Sequence, residues 1–135
     1  MAALGGIQLD LLEERDFEGA VYNILLADSS MGLQTNIPDD EMNGEPVNDA
    51  LYLRDIAIET RYNVDIQYIR ETNSILDNLR ASVLAGDDEY NLVISALSGL
   101  SVTMTSHVLA NLHELPYISV FEPWWNPLFA EELTL

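Results

Sequence analysis

The side chains in this sequence that could move protons or hold a metal ion are 23 carboxylates and two histidines. Neither set falls into a working pattern. His107 and His113 stand six residues apart, with no further ligands at the spacing a zinc site uses. The clusters Asp39-Asp40-Glu41 and Asp87-Asp88-Glu89 lack the alternation of a calcium loop and read as solvated loop surface. "LSGLS" (97–101) lacks the flanking glycines of a nucleophile elbow, and "GDDEY" (86–90) is no phosphate cradle. Asp28, closing an apolar run, could suggest a phospho-acceptor domain. Such a domain also needs an aspartate at the end of its third strand and a lysine, and the sequence supplies neither. Without cysteine there is no disulfide, thiolate nucleophile or cysteine-held metal cluster. We therefore assign no catalytic residue and no metal; with 23 carboxylates the sequence picks no acid/base pair, and its support for an enzyme is thin.

Two features remain that could recognise a ligand or partner. Arg54 has Ala50 and Ile58 as its helical neighbours, so it lies on an apolar stripe. Its stem can pack while its head reaches a carboxylate, or it can be directed at a cleft or another lobe. Both tryptophans sit together in "EPWWNP" (122–127), where proline excludes regular structure. They can plug a core, form a stacking surface for a sugar ring, or meet other polypeptide.

Composition narrows the partners. The formal net charge is −18, the five basic residues are all arginine, and they do not cluster. Phosphate backbones and anionic lipid need a basic surface, so nucleic acid and membrane docking are disfavoured. A hydrophobic share of 48% over 135 residues suits one globular domain. The opening "MAALGGIQLDLLEERDFEG" has neither the basic start nor the apolar run of a signal peptide, and no stretch has the length of a membrane span.

The elements that must position any site follow from periodicity. "VYNILLA" (21–27) is a continuous apolar run of buried-strand length, followed by a turn-rich acidic loop over 31–46. A helix is expected over 49–63, capped by Asn48 or Asp49, with Val47, Leu51, Ile58 and Tyr62 near one face and a stop at Asn63. "VDIQYIR" (64–70) alternates, Val64, Ile66 and Tyr68 against Asp65 and Gln67, as a half-exposed edge strand does. "SILDNLRASVLAG" predicts a helix with Ser74 and Asp77 in a capping pattern, Ile75, Leu79 and Val83 as its stripe, and Gly86 as its stop. "YNLVISAL" (90–97) reads as a buried strand. Leu100, Met104, Val108 and Leu112 predict a third helix ending before Pro116.

Alternating strands and helices predict an α/β fold: a three-layer parallel sheet with crossover helices. With strands 21–27 and 90–96 covered on both faces and 64–70 at an edge, the economical strand order is 2-1-3. Ligands of such sheets collect beyond the carboxyl ends of the strands. Those ends are Asp28-Ser29-Ser30, Arg70-Glu71-Thr72 and Ser95 to Ser98. The chain divides into an acidic lead-in (1–19), the α/β body (20–115) and a proline- and tryptophan-rich segment (116–135).

The runs "LLEERDFEGAVYNILLA", "GEPVNDALYLRDIAIETRYNVDI", "ILDNLRASVLAGDDEYNLVISALSG" and "LHELPYISVFEPWWN" occur in the order found in bacterial extracellular solute-binding proteins of ABC transporters. The resemblance, strongest to large Gram-positive lipoprotein receptors, spans about residues 11–127. It implies the first part of lobe one of a type 2 periplasmic-binding-protein fold. It also implies capture of a small solute, of carbohydrate type, for an ABC permease, with no catalysis and no cofactor. Full-length members are extracellular and membrane-anchored. The sequence departs from the family pattern at Leu53, Asp55 (where Asn is expected), Ile56 and Asn91 (where Asp is expected).

Members of that family are several times longer, carry a lipid-bearing cysteine and have a second lobe. The sequence ending in "FAEELTL" is thus expected to be an N-terminal fragment that self-associates through uncovered apolar surface. Strand ends set the expected ligand-facing positions. They are Asp28 and Ser29 after the first strand, Ser95 and Ser98 after the third, and Trp124 and Trp125 as stacking groups. The alternative is a free-standing acidic flavodoxin-like interaction domain, or an enzyme without a recognisable motif.

Overall fold

The computed structural model describes residues 12–27, 37–71, 75–96, 107–118 and 125–126. These form β1 (Ala20–Ala27), α1 (Pro46–Tyr62), β2 (Val64–Glu71), α2 (Ile75–Ala85) and β3 (Leu92–Ile94), then a 3-10 turn at Leu112–Glu114. The three strands make one sheet in the order β2-β1-β3, with both pairings parallel. This is the expected α/β architecture. In this strand order, right-handed crossovers put α1 and α2 on opposite faces.

β1 is central, but only its second half is buried. Ile24, Leu25 and Leu26 are in the core, Leu25 with no exposed surface, whereas Val21 is 52% exposed. The register gives the reason. β2 pairs with β1 along its whole length from Ala20↔Val64 to Ala27↔Glu71, while β3 joins only at Ile24↔Leu92 and ends at Leu26↔Ile94. The expectation that the first and third strands are covered on both faces is therefore corrected. Full cover begins only where β3 begins, and Leu92 itself is exposed.

β3 is also shorter than the apolar run over 90–97, because a side chain takes over from the ladder below Leu92. Asn91 Oδ1 accepts the Asn23 amide at 2.8 Å and the Asn91 amide donates to the Asn23 carbonyl at 2.9 Å. Asn23 Nδ2 then donates to the Glu89 carbonyl at 2.8 Å. The departure at Asn91 is thus a polar splice that keeps otherwise orphaned backbone groups paired.

α1 starts earlier than expected. Pro46 occupies its first turn, where a missing N–H is no loss, and Glu45 is the cap, its Oε2 accepting the Val47 and Asn48 amides at 3.0 Å each. Asn48 and Asp49 turn back to the preceding loop instead. Asn48 Oδ1 accepts the Asp39 amide at 2.6 Å, and Asp49 Oδ1 accepts those of Asn43 and Gly44 at 3.0 and 3.3 Å. The helix stops where expected. Asn63 is left-handed (φ 50, ψ 57), and its amide closes on the Glu59 carbonyl. The lead-in is fastened there too: Phe17 and Gly19 donate to the Tyr62 and Asn63 carbonyls at 2.9 and 2.7 Å.

β2 alternates as an edge strand should. One of its backbone N–H groups, at Ile66, is covered from the helix, donating to Glu59 Oε1 at 2.9 Å. α2 buries Leu79 and Ser82, while Val83, expected on the apolar stripe, is exposed. Ser82 donates to Asp87, and the Gly86 amide closes on the Ser82 carbonyl at 3.0 Å, so the polar residue faces inward to tie the helix end. The third helix is not formed over its described part. Residues 107–111 are irregular, His107 has φ 56, and Leu112 is exposed, so the stripe there has no surface to pack on. Ser74 and residues 97–106 lie outside the described residues.

Candidate functional site

The carboxyl end of the sheet is built by three unlike pieces. β1 ends at Ala27 beside Glu71, and Leu26 stands between Arg70 on β2 and Ile94 on β3. Side chains alternate along a strand, so Arg70 shares a face with Tyr68. There it meets the loop that leads into α1. Arg70, Asp39, Asp40, Glu41 and Asn43 line a polar cavity of about 440 Å³.

The loop side of this cavity is braced from the helix behind it. Besides the bonds to Asn48 and Asp49 given above, Asn48 Nδ2 donates to the Glu41 carbonyl at 3.1 Å. Asn43 Nδ2 donates to Asp39 Oδ2 at 2.8 Å, and Asn43 Oδ1 accepts the Glu45 amide at 2.9 Å. Among the described residues Arg70 makes no ion pair, and it lines the cavity opposite the acidic loop. Three carboxylates, one guanidinium and one amide can accept and donate to paired hydroxyl groups of a polar solute. Among the described residues no group of three His, Asp or Glu side chains could hold a metal ion, and no helix is long and apolar enough to cross a membrane.

Of the expected ligand positions, Ser95 follows β3 at this same end and is half-buried, and Trp125 is 47% exposed. Neither lines the cavity. Asp28, Ser29, Ser98 and Trp124 lie outside the described residues. The acidic run Asp39-Asp40-Glu41 is the exposed loop that the sequence predicts, and it also forms one wall of the cavity. The signal for it was Arg70, one of five basic residues in the chain and placed at a strand end.

A second polar cluster lies two residues back along β2. Asp55, only 7% exposed, departs from the Asn expected there and is the buried charge of α1. Tyr68 Oη donates to Asp55 Oδ2 at 2.6 Å, Arg54 Nε donates to Oδ1 at 2.8 Å, and Arg54 Nη2 stands 2.7 Å from Oδ1 and 3.3 Å from Tyr68 Oη. Arg54 thus takes the first of its two alternatives, with its stem on the helix and its head on a carboxylate. Burial, then the hydrogen bond and charge of Asp55, push the Tyr68 hydroxyl up to about 12, against a smaller opposite pull from Arg54. This tyrosine stays protonated and acts as a donor. The cluster closes one end of an apolar groove of about 680 Å³ that runs between α1 and the sheet, past Phe17, Tyr22, Ile24, Ile58 and Leu92.

No protein-family model matches the sequence, and comparison with curated proteins and with solved structures finds no similar chain.

Proposed function

We propose that this chain is the N-terminal part of lobe one of an extracellular solute-binding protein, membrane-anchored in its full-length form. The full-length protein would capture a small solute of carbohydrate type for import by an ABC permease, without catalysis, and this part alone is expected to hold it only weakly. The observation that carries the reading is the polar cavity at the carboxyl end of a 2-1-3 parallel sheet, where ligands of open α/β sheets gather. Its wall chemistry favours a hydroxyl-rich solute. Carboxylates and an amide accept or donate to neighbouring hydroxyls while the Arg70 fork fixes orientation. The exposed Trp125 offers a face on which a sugar ring can stack.

Isothermal titration with glucose, galactose, maltose and cellobiose tests this directly, with Arg70→Ala as the control. Weak binding of at least one sugar, with a Kd of about 1 mM, is expected, and loss of the charge-assisted donor in the variant should weaken it about tenfold. No binding of any of the four, or equal binding by the variant, overturns the proposal.

A further inference from the structure

We draw no further inference here: the strongest candidate, the apolar groove of about 680 Å³ between α1 and the β1–β3 face of the sheet, is an unpartnered sheet face, and nothing in the structure shows what covers it.

Discussion

Two concavities share one face of this sheet, and β2 contributes to both: Tyr68 to the apolar groove, Arg70 to the polar cavity. They differ in how their walls are held. The polar cavity is lined by a loop whose own backbone amides are tied to Asn48 and Asp49 at the start of α1. The groove is lined by side chains that keep about two fifths of their surface exposed at Phe17, Tyr22, Ile58 and Leu92. A braced polar wall is a place where a solute can exchange its water hydrogen bonds for protein ones. An open apolar wall contributes little to stability until something dry covers it. The Asp55–Tyr68–Arg54 cluster lines the groove, and along β2 its Tyr68 stands two residues before the Arg70 of the polar cavity.

The largest effect is expected at that cluster. Asp55→Ala removes the acceptor for two donors and should destabilise the fold by about 2 kcal/mol, less than a fully buried pair because Arg54 is 44% exposed. Asp55→Asn, which restores one acceptor oxygen, should cost about half of that. Urea melts of the three proteins measure both. Equal midpoints would mean that α1 is not held to β2 through this carboxylate.

Next comes alkaline pH. Tyr68 has its folded hydroxyl raised to about 12, above the ordinary value of 10. The stability it contributes is therefore fully present below pH 10 and is lost as the pH rises to about 12. Tyr68→Phe should be less stable than the parent at neutral pH and should lose less stability over that alkaline window. Parallel stability curves for the two proteins between neutral pH and that limit would contradict the assignment.

A smaller cost, about 1 kcal/mol, is expected for Asn91→Ala, which strands the Asn23 amide at the start of the β1–β3 pairing. Asn91→Asp keeps an accepting oxygen and should stay close to the parent. Hydrogen exchange at the Asn23 amide checks this: faster in the alanine variant, unchanged in the aspartate one. The smallest effect belongs to the groove. Tyr22→Ser should change stability by no more than about 0.5 kcal/mol, because the residue, 40% exposed, lines an open groove. A much larger loss would show that this wall is covered in solution.

How far the sequence revealed these differences depends on whether the signal was local. The alternation of Val64, Ile66 and Tyr68 and the apolar run through Ile24-Leu25-Leu26 led to the observed strand order, although the two-face cover read into 21–27 and 90–96 holds only where β1 meets both neighbours. Asn63 announced the end of α1 for the same reason. Its beginning was less legible: glutamate is an uncommon cap, and only Pro46 marked the turn. Asp55 stood out in the sequence only as a departure from the family pattern; its burial was not legible, since the tyrosine that satisfies it lies thirteen residues on and meets it only through the crossover. Over the described residues 107–112, the third helix failed in the opposite sense. An apolar residue every fourth position is a helix signal only where a surface awaits it, and Leu112 has none. The cavity wall was hidden likewise, because Asp39-Asp40-Glu41 becomes a site wall only beside Arg70.

The central claim is that a polar solute is captured at the carboxyl end of the sheet rather than along the groove. Mapping backbone amide shifts by NMR during titration with saturating maltose tests it most directly. The account predicts shifts concentrated at Asp39–Asn43 and Arg70–Glu71, with Phe17–Tyr22 and Asn91–Leu92 unmoved. Shifts confined to the groove residues, or none at either place, would contradict it.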